Sequence, residues 1–127
     1  MIETTKAAPQ TLQLGISYFA IPGFGSLELT NLIYIVSQCT KVDVAVIRSK
    51  DQTRGAANAR HLFSLFARSE YHFTFQYIAD YLKRASHSTI KKSVQQAMNF
   101  RETDREFAQL CDTVEEMLQS NKAVIQD

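Results

Sequence analysis

Apolar positions recur at helical spacing along most of the chain. Ser26 followed by Glu28 and then Leu29, Leu32, Ile33 and Val36 gives an N-cap, an acidic first turn and an inward stripe, which predicts a helix over about 27–39. Val42 to Ile47 is apolar throughout and reads either as a strand or as a buried helical turn; its brevity and its helical neighbours favour the turn. After the polar loop Ser49 to Arg54, the series Ala56, Ala59, Leu62, Phe63 and Phe66, with Leu65 on a second side, describes a helix apolar over more than half its circumference. This predicts the central helix of a domain. Thr74 then caps a short helix whose inward residues are Phe75, Ile78 and Leu82, with Ala79 small enough for another helix to approach.

A turn, Lys83 to Ser86, leads into a further helix with Ile90, Val94, Ala97 and Met98 inward and His87, Ser88, Lys91, Lys92 and Gln95 outward. Asp104 opens a last helix that places Phe107, Leu110, Cys111, Val114 and Leu118 inward and acidic residues outward. Residues 1–10 read as a polar tail, and the alternation of Leu12, Leu14, Ile16 and Phe19 as a short strand or arm. The expectation is therefore all-α: a compact bundle of about five to six helices at 26–121, preceded by a tail and arm at 1–25 and followed by a tail at 122–127. Within it, a short helix, a four-residue turn and a longer helix with a polar entry form a helix-turn-helix over about 74–100.

That entry carries the chemistry. A helix beginning Ser86-His87-Ser88-Thr89 and continuing to Lys91 and Lys92 offers hydroxyl, imidazole and ammonium donors to phosphates and base edges. The same residues also suit an ordinary capped helix with solvated lysines. Net charge is only +1, which taken alone disfavours a nucleic-acid partner. Its distribution matters more. Residues 48–92 hold nine basic residues against three acidic ones, whereas the stretch before them is slightly acidic and the stretch after holds three bases against seven acids.

Other classes find little support. Cys39 and Cys111 lack C-x-x-C spacing and sit on apolar helix stripes, which favours two buried thiols in a reducing compartment over a disulfide or a nucleophile. His61, His72 and His87 form no metal-ligand pattern, so neither an enzyme nor a metal or other cofactor is expected. Tyr77 and Tyr81 flank the short helix and read as packing residues. The run Leu14 to Phe24 is interrupted by glycine and proline and is too short to span a bilayer; no membrane role and a cytoplasmic, nucleoid-associated setting are expected.

Several of these residues resemble the C-terminal DNA-binding domain of the bacterial chromosomal replication initiator DnaA, whose fold is similar to that of the Trp repressor. The resemblance covers about 27–103 and rests on Val44 to Lys50 before a polar loop, on Ala59-Arg60 opening the long helix, and on Thr74 to Ala79 as a capped short helix. Above all it rests on Ser86-His87-Ser88-Thr89-Ile90, which looks like that family's Asp-His-[Ser/Thr]-Thr-Val signature. The resemblance implies double-stranded DNA as partner, base contacts from His87, Ser88, Thr89 and His61, and groove or backbone contacts from Lys50, Arg54, Arg60 and Lys92; the position and polar chemistry of Lys83, Arg84, Ser86 and Lys91 at the turn and helix entry add backbone contacts of their own. There are departures. The family's Gly-Gly-Arg-Asp turn is Lys83-Arg84-Ala85-Ser86 here, which removes an acid suited to a cytosine amino group and shifts charge toward phosphate contacts, so the family's target sequence does not carry over. No G-x-x-x-x-G-K-[ST] occurs in the 127 residues, so DNA binding is expected without the ATPase module.

A second reading keeps the fold and gives up specific DNA recognition: a regulatory protein-interaction module, suggested by near-zero net charge, the altered turn and the acidic last helix. In that reading residues 14–24, with Phe19, Ile21 and Phe24, dock on a second copy or another protein instead of covering the domain's own core.

Overall fold

A computed structural model describes residues 27–84 and 86–126, the last six as helix backbone alone. The expected tail and arm at 1–25, including residues 14–24, and the Ser26 cap lie outside the described residues. Six helices and no strand are present among those described: α1 (Leu27–Thr40), α2 (Val44–Ile47), α3 (Arg54–Ser69), α4 (Phe75–Tyr81), α5 (His87–Thr103) and α6 (Arg105–Gln126). The all-α expectation holds, and the apolar run 42–47 resolves into the helical turn α2. Helix α6 continues to Gln126, into the stretch set apart from sequence as a tail.

By its internal packing the chain divides between Asn31 and Leu32. The described part of the first unit is the opening of α1, Leu27–Asn31. The second unit has a core of Leu32, Ile33 and Val36 from α1, Ile47 from α2, Ala59, Leu62 and Phe63 from α3, Ile78 from α4, Ile90 and Ala97 from α5, and Cys111 and Val114 from α6, each at most 2% exposed. Helix α3 packs on α2, α4 and α5, and α5 packs in turn on α4 and α6. The prediction that α3 is central is thereby met.

The polar ends explain where the helices start and stop. Thr53 caps α3 by accepting from the Ala56 amide at 3.4 Å, and Thr74 caps α4 by accepting from the Tyr77 amide at 3.1 Å, as its position predicted. Asp104 does the same for α6, accepting from the amides of Glu106 and Phe107 at 3.0 and 3.3 Å. At the end of α4 the Arg84 amide donates to Ala79 O at 2.7 Å and the Lys83 amide to Asp80 O at 3.2 Å, the two bonds of a Schellman cap. Lys83 takes the left-handed conformation this cap requires, with φ 60°.

Two stripes differ from expectation in detail. On α5 the buried residues are Ile90, Ser93 and Ala97, while Met98 is 49% exposed. The inward face is turned toward Ser93 because α5 wedges against both α3 and α4, and Ser93 reaches a polar partner on α3. On α4 Tyr81 is buried and stacks on Phe63 at 5.6 Å between ring centroids, a packing role, whereas Phe75 is half-buried and lies under the Arg68 guanidinium at 4.7 Å.

Candidate nucleic-acid interface

The entry to α5 stands on the surface. His87, Ser88, Thr89, Lys91 and Lys92 are all exposed, and Ile90, only 2% exposed, pins the first turn to the bundle. Positions 87, 88, 91 and 92 fall on one side of a helix of 3.6 residues per turn, so an imidazole, a hydroxyl and two ammonium groups share an outward face. Ser86 precedes the helix in extended conformation and is half-buried; its hydroxyl makes no capping bond and lies 3.4 Å from Thr89 Oγ1. The N-terminal amides of α5 are therefore not covered by a side-chain cap, which leaves this end of the helix dipole suited to negative charge.

A second group of predicted residues converges at the other side of the turn. Arg60 on α3 is 7% exposed. Its Nε donates to Ile47 O at 2.8 Å and its Nη2 to Val46 O at 3.0 Å and Ser49 O at 2.8 Å. Arg60, expected at a DNA phosphate, has its guanidinium engaged within the fold, where it serves the Ile47 carbonyl and adds to the bonds that Val46 O accepts from the Ser49 amide and hydroxyl at 3.0 and 2.7 Å. Arg84 also points inward, its Nη2 donating to the same Ser49 carbonyl at 2.8 Å. Burial and the neighbouring Arg84 lower Arg60 from the usual arginine value, and Asp51 opposes the shift; Arg60 remains a cation.

The loop so held is internally ordered. The Asp51 amide donates to Ser49 Oγ at 3.1 Å and the Thr53 amide to Asp51 Oδ1 at 2.7 Å. Bonds from Thr53 hold the Asp51 carboxyl below its ordinary range. Lys50 and Arg54, at either side of this turn, are exposed, and Lys83 is exposed beside Arg84. Through Ser49 and Arg84 the loop carrying Lys50 thus meets the turn carrying Lys83.

His61 was expected at a base edge, yet it is half-buried. Its Nδ1 lies 2.6 Å from Ser93 Oγ, its ring packs 6.1 Å from that of Phe100, and it lines a shallow cleft with Lys92, Ser93, Gln95 and Gln96. Burial, and secondarily Arg60, lowers its pKa.

Sequence reasoning missed three participants. Arg48 donates from Nε to Tyr81 O at 2.9 Å and lies 4.7 Å over the Tyr81 ring, joining the end of α2 to the end of α4. Ser93 was overlooked because it is polar, although it lies three residues after Ile90 and four before Ala97 on the buried stripe. Ser49 acts through its backbone carbonyl, for which no side-chain signal exists.

Among the described residues no three His, Cys, Asp or Glu side chains come together as metal ligands, and no helix is long and apolar enough to cross a membrane. No curated protein shows a match to the chain. Residues 29–97, more than half of the chain, match the family described as the bacterial DnaA protein helix-turn-helix, and the matched stretch takes in the whole of α2, α3 and α4 and the exposed entry of α5. The chain belongs to the bacterial DnaA helix-turn-helix family.

Proposed function

We propose that this chain binds double-stranded DNA by inserting the entry of α5 into the major groove, without a catalytic step and without an ATPase module within its 127 residues. The observation that carries the reading is the exposure of His87, Ser88, Thr89, Lys91 and Lys92 on a helix tip anchored from beneath by Ile90. His87, Ser88 and Thr89 take base edges or adjacent phosphates, and Lys83, Lys91 and Lys92 take the backbone. Lys50 and Arg54 approach from the loop. The domain so used spans 26–121, and its place in the cell is the nucleoid.

The test is a mobility-shift titration of random duplex at two salt concentrations. Lys91→Ala and Lys92→Ala each weaken binding to all duplexes and each lower the salt slope by about one. His87→Ala changes the sequences enriched from a random pool. A chain that binds no duplex even at low salt overturns the proposal.

The exposed acidic positions on α6, Glu106, Asp112, Glu115 and Glu116, favour a second reading, a regulatory module of the same fold that binds protein in place of DNA. The same titration separates the two, since that module gives no salt-dependent duplex binding.

A further inference from the structure

Two guanidinium groups from distant parts of the chain share one acceptor. Arg60 Nη2 and Arg84 Nη2 each donate to Ser49 O at 2.8 Å, so two cations face each other across a single carbonyl. Such an arrangement costs mutual repulsion, and Arg84 adds to the lowering of Arg60 that burial chiefly causes. The two arginines are not equivalent. Arg60 is buried and also serves Ile47 and Val46, so it belongs to the core side of the loop. Arg84 sits in the turn of the helix-turn-helix, is half-exposed, and reaches 35 residues back along the chain for this bond.

Its backbone is fixed independently by the Schellman cap on α4, because the Arg84 amide is held by Ala79 O at 2.7 Å. The side chain therefore reports the position of the turn to the loop. On the far side of that bond, Ser49 also accepts from the Asp51 amide through its hydroxyl, and Asp51 accepts from the Thr53 amide, so the tether continues to the start of α3. Lys50 and Arg54 lie on this segment and His87 lies three residues beyond Arg84.

We propose that Arg84 is a positioning residue, which fixes the loop Ser49–Thr53 against the helix-turn-helix turn so that Lys50 and Arg54 meet DNA in register with His87. The inference rests on the DNA-binding reading. It assigns Arg84 a role through the loop in place of a phosphate contact of its own, although a cation in a recognition turn invites that simpler role.

Two measurements on the full chain test it. In the free protein, Arg84→Met keeps the aliphatic stem and removes the donors. Hydrogen exchange at the Asp51 and Thr53 amides then accelerates roughly tenfold or more, while the amides of Phe63 and Leu62 in α3 keep their protection. In the duplex-bound state, a double-mutant cycle pairs Arg84→Met with Lys50→Ala. Lys50→Ala lowers the salt slope by about one in the wild-type background and by close to zero in the Arg84→Met background, because the lysine is no longer held in place. Arg84→Ala serves as a second variant, and retained far-ultraviolet circular dichroism shows that either protein is folded.

Unchanged exchange at Asp51 and Thr53, or strictly additive effects of the two substitutions on a chain that binds duplex, overturns the positioning role and leaves DNA binding intact. Additivity with a lost slope unit for Arg84→Met marks a direct phosphate contact. A wild-type chain that binds no duplex at low salt overturns the DNA-binding reading, and the register argument with it.

Discussion

Arg60 Nε donates to the carbonyl of Ile47, 13 residues earlier, at 2.8 Å, which ties the central helix to the end of α2 through a nearly buried cation. Arg60→Ala removes this bond and those to Val46 and Ser49, and leaves the carbonyls of Val46 and Ile47 without that donor. The expected loss is about 2 kcal/mol of folding stability, from hydrogen bonds to a charged donor plus the Ile47 carbonyl left behind, since Val46 O keeps its bonds from Ser49 and Ser49 O its bond from Arg84. Arg60→Lys recovers only part, because an ammonium cannot reproduce the fork that serves three carbonyls. By contrast Lys91→Ala, at an exposed site, changes stability by under about 0.5 kcal/mol. Urea unfolding followed by circular dichroism measures both; near-equal effects would refute the structural assignment of Arg60.

Lys83 gives a prediction of opposite sign for folding and binding. Its φ of 60° is the left-handed conformation, which a side chain with Cβ adopts at a cost and glycine adopts freely. Lys83→Gly is expected to raise stability by roughly 0.5 kcal/mol, the strain relief being partly offset by the greater entropy of glycine in the unfolded chain. The same change removes a cation from the proposed interface and lowers the salt slope of duplex binding by about one. Thermal unfolding and titration on one preparation check the pair.

The pH dependence of folding follows from His61. Burial, reinforced by Arg60, places its folded pKa below 6.5, the value it has when exposed. As pH falls through 6.5 the unfolded chain takes up the proton first, so stability declines from that pH down through the folded pKa and is unaffected by this group above it. His61→Gln removes the His61 share of this decline. Chemical denaturation at pH 7.5 and pH 5.5 measures it, and an unchanged difference between the two pH values in the variant counts against the assignment.

Ser64 lies in the middle of α3 with no exposure, and its hydroxyl finds no hydrogen-bond partner among the described residues. Ser64→Ala takes away an unsatisfied polar atom and improves helix propensity, so it stabilises the fold by about 1 kcal/mol. A loss of stability in the same unfolding assay would mean that the hydroxyl is engaged after all.

The helices were legible because their apolar periodicity is long and their ends carry specific chemistry: Thr74 was read as a cap and is one, and the run from Ala56 to Phe66 is the buried spine. The part Arg60 plays inside the fold was not read because charge was weighed without position. It follows Ala56 by four residues and precedes Phe63 by three, on the same buried stripe, and that spacing was available to be read. His61 and Ser93 lie 32 residues apart, and nothing in either local pattern announces their contact. The Ser49 carbonyl, shared by Arg60 and Arg84, is a backbone atom and has no signature in sequence at all.

The outward residues of α5 rest on Ile90 and Ala97 and themselves add nothing to the interior. Their identity is consequently free to be exchanged among residues that suit a helix, since none of these side chains packs inside the scaffold beneath. A library varied at 87, 88, 91 and 92 without proline or glycine should yield folded proteins that differ in what they recognise far more than in how firmly they hold together.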